Sequence, residues 1–169
     1  MRRMSLFCAA LTLMMAAGLG FTMPEGWRQL SASSSMRVAE FALPRVAGDA
    51  EDAELIVYYF GGSGGSIDAN ITRWIAQMRQ ADGAPIADAK RVSRTVNGLA
   101  VTLGDVSGTY VAEMAPGAAE RHNKPRFRLR AGVVGTPSGP YFIKLTGPEK
   151  TVTKWDHAFE QFVSSFKAR

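Results

Sequence analysis

The dipeptide Asn97-Gly98 constrains the fold of this chain more than any other short feature. It stands between two β-rich runs in KRVSRTVNGLAVTLGDV, and both residue types accept the positive φ angles that a two-residue hairpin turn requires. The turn RVAGDAED separates SSSMRVAEFALP from AELIVYYF. The turn TPSG separates RFRLRAGVV from PYFIKLTG. Because a hairpin pairs neighbouring strands antiparallel, these runs predict an antiparallel sheet of about six strands.

Two segments have helical rather than β periodicity. Ser66 is a good N-cap residue, and an apolar stripe at helical spacing follows it, formed by Ile67, Ile71, Trp74, Ile75 and Met78. The turn DGAP at residues 82–85 ends this helix. A second helix is predicted from Glu149 to the C-terminus, with the stripe Val152, Trp155, Phe159, Phe162, Val163 and Phe166. The predicted fold class is therefore α+β, an antiparallel sheet covered by two amphipathic helices.

Residues 1–20 have the pattern of a signal peptide. Two arginines precede the uncharged run LFCAALTLMMAAGLG, which is shorter than the roughly 20 residues of a membrane-spanning helix. A cut before Phe21 would follow small residues, and the alternatives are a cut nearer Ala16 or Ala17 and an uncleaved anchor that tethers the protein to the membrane. The chain is therefore predicted to be exported, to the periplasm or the extracellular space.

Cleavage before Phe21 would leave residues 21–169 as a single α+β domain. The mature chain would lose Cys8, the only cysteine, so neither a disulfide nor a thiolate metal site is expected. Its 18 basic and 15 acidic residues would give a net charge of +3. The densest basic cluster, RHNKPRFRLR at residues 121–130, is interpreted as a solvated loop and strand edge. Export argues against nucleic acid as its partner.

The sequence GGSGG at residues 61–65 matches the G-x-S-x-G pattern of a serine-hydrolase nucleophile. In that interpretation Ser63 attacks the substrate, His157 is the base and Asp105 is the third member of the triad. However, two glycines separate Ser63 from the N-cap at Ser66, and the hydrolase elbow belongs to a mostly parallel sheet. The sequence therefore favours a conformational role for the glycines and a protein that is not an enzyme, with a small serine hydrolase as the alternative.

The backbone amides of Gly64, Gly65 and Ser66 form a second candidate site, because the N-terminus of a helix attracts anions. No lysine follows the last glycine, so the loop is not a nucleotide-binding P-loop, and a weak contact with a small anion is predicted instead. The two histidines are far apart in the sequence, and no residues have metal-ligand spacing. No metal or cofactor is predicted.

Two segments resemble known proteins when they are taken together. MPEGWRQL places Pro24 and Trp27 just before the first strand, and GPYFIKLTGPEKTVTKWDHAFEQFVSSF gives a strand, a turn and a closing helix that ends in Ser-Phe. The chain resembles a family of uncharacterised exported bacterial proteins and is similar to PsbP-like domains, the extrinsic proteins of the oxygen-evolving complex. The second likeness implies an αβα sandwich that acts as a non-enzymatic accessory or assembly factor.

The leading hypothesis is an exported, non-enzymatic binding or accessory protein of the bacterial envelope. Its expected partner is an envelope protein or a membrane-associated complex, and no transmembrane span is expected after cleavage. The candidate surface combines the Gly62 to Ser66 loop with the basic segment at residues 121–130, provided that the fold brings them together. A serine hydrolase that uses Ser63 and a carrier of a small anionic ligand are the alternatives.

Overall fold

The computed structural model of the protein describes residues 13–16, 18–62 and 64–169, so Cys8 and Ser63 lie outside the described residues. The strands are, in chain order, β1 (Leu13–Ala16), β2 (Leu19–Thr22), β3 (Arg28–Leu30), β4 (Arg37–Leu43), β5 (Ala53–Tyr59), β6 (Met78–Arg79), β7 (Lys90–Val96), β8 (Leu99–Tyr110), β9 (Lys124–Thr136), β10 (Gly139–Pro148) and β11 (Lys167–Ala168). The helices are α1 (Ile67–Ile75), α2 (Glu149–Lys154) and α3 (Asp156–Ser164).

The main sheet has the strand order β3-β4-β5-β10-β9-β8-β6, and β7 pairs with β8. All of its pairings are antiparallel. Asn97 and Gly98 join β7 to β8 with φ angles of 47° and 82°, as the hairpin signal predicts. The α+β class and the antiparallel sheet are confirmed, but the sheet has eight strands in the described part of the chain rather than about six.

The helices lie on opposite faces of this sheet, which makes the domain an αβα sandwich. On one face α1 packs Ile71 and Trp74 into a cluster with Phe142 of β10. On the other face α3 contributes Phe162, whose ring lies within 6.2 Å of the rings of three other buried aromatic residues, Phe21, Trp27 and Phe41. The sheet is thus buried from both sides, and the predicted apolar stripes lie in or against the core except for Ile67, which is 39% exposed.

The first helix is shorter than the turn at residues 82–85 predicts. It ends at Ile75, and the amide of Val111 donates to the carbonyl of Gln77 over 2.8 Å. Met78 then pairs with Tyr110 as part of β6. The backbone after Ile75 therefore finds its hydrogen-bond partners at the end of β8 instead of in a further helical turn, while the Met78 side chain stays buried beside α1.

The second predicted helix is broken and does not reach the C-terminus. Trp155 interrupts it with φ −94° and ψ 8°, and its indole Nε1 donates to the carbonyl of Pro44 over 2.9 Å. After α3 the chain turns into β11, which pairs with β2 in a small sheet of order β1-β2-β11. Leu19 and Phe21 of β2 are fully buried against the α3 side of the core.

Candidate ligand-binding cleft

A cleft of about 990 Å³ lies on the α1 face of the sheet. It exists because α1 has only nine residues and covers one part of that face. Beyond it, Ile56 and Lys144 form an uncovered floor, and the loop between β8 and β9 forms a wall. The volume is at the upper end of the range of about 300–1,000 Å³ that is typical of sites for small molecules.

Lys144 is the central charged group of this cleft. Side chains alternate between the faces of a strand, so Lys144 shares the α1 face with Phe142 although Ile143 and Leu145 face the opposite core. Its Nζ donates to Gln77 Oε1 over 2.6 Å and to the hydroxyl of Tyr110 over 3.1 Å. Among the described residues no carboxylate lies within 4.0 Å of this amine.

The position of Lys144 disfavours its charged form. Burial lowers the pKa of this amine to about 8 from its usual 10.5, the negative charge of Glu54 opposes the change, and the positive charges of Arg37 and Arg73 add to it. The two hydrogen-bond partners are uncharged, because burial also raises the pKa of Tyr110 to about 12. Lys144 is therefore a poorly solvated cation that Glu54 balances only from beyond 4.0 Å, and an anion in the cleft would pair with it directly.

Two further cations on the cleft wall have no ion-pair partner in the described chain. Arg73 donates to the side-chain oxygen of Asn70 over 2.7 Å, and Arg79 has only a long contact of 3.4 Å with the carbonyl of Met78. The other cationic wall residues are paired, as Arg37–Glu40, Arg121–Glu113 and Lys124–Glu51. The lining cations without an ion pair are therefore Lys144, Arg73 and Arg79, and Glu54 is a lining carboxylate whose charge acts on Lys144 without an ion pair.

An aromatic surface adjoins these cations. The ring of Tyr110 stacks on those of His122 and Phe127, at centroid distances of 5.3 and 6.0 Å. Tyr58 lies on the same face, and Arg37 sits over its ring. The cleft thus offers flat apolar surface beside positive charge, the combination that suits an anionic organic molecule.

The glycine loop is held by a residue that the sequence interpretation did not include. Ser66 is the N-cap, as predicted, and its Oγ accepts from the amide of Ala69 over 3.1 Å. The side-chain amide of Asn70 donates to the carbonyls of Gly64 and Ser66. Gly64 and Gly65 have φ angles of 137° and 79°, which explains why glycine is required there.

The structure places Asp105 and His157, two members of the suggested triad, away from the glycine loop. Gly64, next to Ser63, lies against Phe142 on the α1 face. Asp105 is on the opposite face, where its carboxylate accepts two hydrogen bonds from Arg128 over 2.8 and 2.6 Å. His157 is exposed on α3. The structure therefore brings neither the carboxylate nor the imidazole to the face that carries the glycine loop.

The basic segment at residues 121–130 is not at a strand edge, contrary to the prediction. Most of it belongs to β9, which lies between β10 and β8 inside the sheet. Arg128 and Arg130 are only 16% and 11% exposed and are paired with Asp105, Asp156 and Glu160. The carboxylates of β8 and α3, which are themselves partly exposed, compensate these charges in an interior strand.

The segment is also remote from the glycine loop. Gly62 lies beside Ser138 in the turn after β9, whereas β9 begins at Lys124, twelve residues before its end at Thr136. An extended strand rises about 3.3 Å per residue, so the start of β9 is about 40 Å from the loop. The basic segment thus occupies the first half of β9, and the glycine loop adjoins the turn at the other end of this strand.

The described residues contain no group of three or more His, Cys, Asp and Glu side chains that could hold a metal ion. Nor does any helix in residues 18–62 and 64–169 have the length and hydrophobicity to cross a bilayer.

Comparisons with known proteins identify the fold of this chain. No family model and no curated protein sequence matches it. Among solved structures, cyanobacterial PsbP (CyanoP) from Synechocystis sp. PCC 6803 superposes with a TM-score of 0.56 at 14% identity, over 99% of this chain and 98% of that one. PA94, a protein of unknown function from Pseudomonas aeruginosa, superposes with a TM-score of 0.52 at 17% identity, over 94% and 97%. The chain therefore has a PsbP-like α+β fold along nearly its whole length.

Proposed function

We propose that this protein is an exported, non-enzymatic binding protein that serves an envelope complex, and that its binding site is the Lys144 cleft. The observation that carries the proposal is a buried amine with no carboxylate of the described residues within 4.0 Å, on the floor of a cleft of about 990 Å³. The PsbP-like fold supports an accessory role by analogy, which is a weaker argument because one fold hosts many functions.

The cleft favours an anionic small molecule as the ligand of this binding protein. Lys144, Arg73 and Arg79 would provide its charge partners, and the stacked rings beside Tyr110 would contact its apolar part. This is a different site from the amides of Gly64 to Ser66. Both sites attract anions, but only the cleft has enough volume to enclose an organic acid.

A thermal-shift panel of organic acids and phosphates tests this proposal. A ligand that binds only the native state at 100 times its Kd adds about 2.7 kcal/mol to the free energy of unfolding, which would raise the melting temperature by several degrees. We expect one class of acid to stabilise the wild type but not Lys144→Met, whereas the surface control Lys150→Met should respond like the wild type. Equal responses of both variants would refute the cleft as the site.

Two further experiments separate the remaining functional hypotheses. Cross-linking in the native host with a C-terminal tag, followed by mass spectrometry, should capture a reproducible envelope protein if the accessory role is correct.

A fluorophosphonate probe should leave the folded protein unlabelled. Labelling that is lost in Ser63→Ala would instead establish the hydrolase.

The position of Leu19 predicts where an exported chain is cleaved. Leu19 is completely buried, and the amide of Arg169 donates to the carbonyl of Gly18 over 3.3 Å. A cut before Phe21 would remove both interactions, whereas a cut after Ala16 or Ala17 keeps them. We expect the intact mass of the exported protein to correspond to a first residue at Ala17 or Gly18. A mass that begins at Phe21 would contradict this expectation.

A further inference from the structure

We propose that Lys144 binds its ligand covalently, by forming a reversible imine with an aldehyde or ketone that also carries an acidic group. This inference rests on the proposed function, since it requires that the cleft is the ligand site. It adds the chemical class of the ligand and a reaction to the site.

The geometry leaves the Lys144 amine free to react. Two of its three N–H groups are directed to Gln77 Oε1 and the Tyr110 hydroxyl, no acceptor among residues 18–62 and 64–169 takes the third, and Nζ lies 5.1 Å from the centre of the Tyr110 ring. Lys124, on the wall of the same cleft, is instead held by both carboxylate oxygens of Glu51 over 2.7 and 2.9 Å. An ion-paired ammonium group is not a nucleophile, so Lys124 is not expected to react with a carbonyl group as Lys144 does.

Burial increases the neutral fraction of the Lys144 amine, and nearby charges modify it. With a pKa of about 8, about one tenth of the amine is neutral at pH 7, against about 0.03% for an ordinary lysine. The charged groups that act on it are Glu54 of β5, Arg37 of β4 and Arg73 of α1. The two arginines carry positive charge at every accessible pH, so they favour the neutral amine throughout the useful range.

The reaction needs no group that the cleft lacks. The lone pair of the neutral amine attacks the carbonyl carbon, and one proton of the amine passes to the carbonyl oxygen to give a neutral carbinolamine, whose remaining N–H proton later leaves with the hydroxyl. Loss of that hydroxyl as water forms the C=N bond, and addition of water reverses the sequence without any change of oxidation state. The Tyr110 hydroxyl, 3.1 Å from Nζ, is placed to donate a hydrogen bond to the departing oxygen. Arg73 and Arg79 are available for the acidic group of the ligand.

Pyridoxal 5′-phosphate is a suitable probe because it carries both an aldehyde and a phosphate. The full-length protein is incubated with a substoichiometric amount, reduced with borohydride and mapped by peptide mass spectrometry. We expect Lys144 to be modified at least about tenfold faster than Lys150, which is exposed on α2. Pyridoxal, which lacks the phosphate, should react more slowly, and the rate at Lys144 should rise with pH to a plateau above about pH 8.

Two variants make the result decisive. Lys144→Arg retains the charge but cannot form an imine, so its trapped adduct should disappear. Tyr110→Phe should keep the adduct but form it several-fold more slowly. Equal modification of Lys144 and Lys150 would overturn the imine proposal. If the acid panel stabilises the protein while Lys144 stays unmodified, non-covalent binding stands and the imine fails; if neither occurs, both proposals fail.

Discussion

Replacing Lys144 with methionine is expected to stabilise the protein at pH 7 while it abolishes ligand binding. The lowered pKa means that the folded state holds the ammonium form less favourably than water does, and a difference of 2.5 pKa units between about 8 and 10.5 corresponds to about 3 kcal/mol. Methionine removes this cost but also the hydrogen bonds to Gln77 and Tyr110, which offsets about 1 kcal/mol. The net gain in the free energy of unfolding is therefore about 2 kcal/mol.

The pH dependence of this gain identifies its cause. Below pH 8 the Lys144 amine is protonated in both states, and the cost is complete. Between about pH 8 and 10.5 the folded amine loses its proton while the unfolded one keeps it, so the wild type gains stability relative to Lys144→Met. Urea unfolding at pH 7 and pH 10 should therefore show that the difference in the free energy of unfolding between the wild type and Lys144→Met shrinks as the pH rises.

Lys150→Met is the matched control for this experiment. Lys150 is exposed, so its substitution should change stability by less than about 0.5 kcal/mol at either pH. If Lys144→Met were instead less stable than the wild type at pH 7, the amine would have to be paired or solvated in the folded state. The presence of a residue such as Lys144 that lowers the stability of the folded protein is best explained by a function that requires this residue.

Much of the fold could be predicted because its signals are local. Asn97-Gly98 requires only that two neighbouring residues accept positive φ, and Ser66 caps the helix that begins with the next residue. The break at Trp155 could not be predicted in this way. It depends on a hydrogen bond to the carbonyl of Pro44, 111 residues earlier in the chain, and no local pattern contains that partner.

The cleft was missed although one signal for it was present. Lys144 interrupts the apolar run YFIKLTG, and the period of a strand places it on the face of Phe142. What the sequence does not show is that α1 ends at Ile75 and leaves this part of the face uncovered. The glycine loop is recognisable as a sequence motif, whereas the position of the Lys144 cleft depends on the residue at which α1 ends.

Replacing Asp105 with asparagine is expected to cause the largest loss of stability among the charged residues. Asp105 accepts two hydrogen bonds from Arg128, and its carboxylate is 3.6 Å from Arg130. The side chains of the two arginines are 16% and 11% exposed, and without Asp105 their buried charges keep only Asp156 and Glu160 as partners. We expect the free energy of unfolding to fall by about 2–3 kcal/mol.

The matched control for Asp105→Asn is Asp68→Asn. Asp68 pairs with Arg91 over 3.5 Å, but its side chain is 88% exposed, so the substitution should cost less than about 1 kcal/mol. Both variants are measured by urea unfolding at pH 7. Equal losses would mean that the pairs of Asp105 are screened by water like those at the surface.

The same charge network predicts that the protein loses stability in acid. Burial raises the pKa of Glu160, but hydrogen bonds from Arg94 and Arg130 outweigh it and hold the pKa below the usual 4.5. Glu160 therefore stabilises the fold fully above pH 4.5, and this contribution is lost as the pH falls through its folded pKa. Glu160→Gln should be less stable than the wild type at pH 7, and the difference should narrow towards pH 3. A constant difference would show that the packing of the Glu160 side chain, rather than its charge, accounts for its effect on stability.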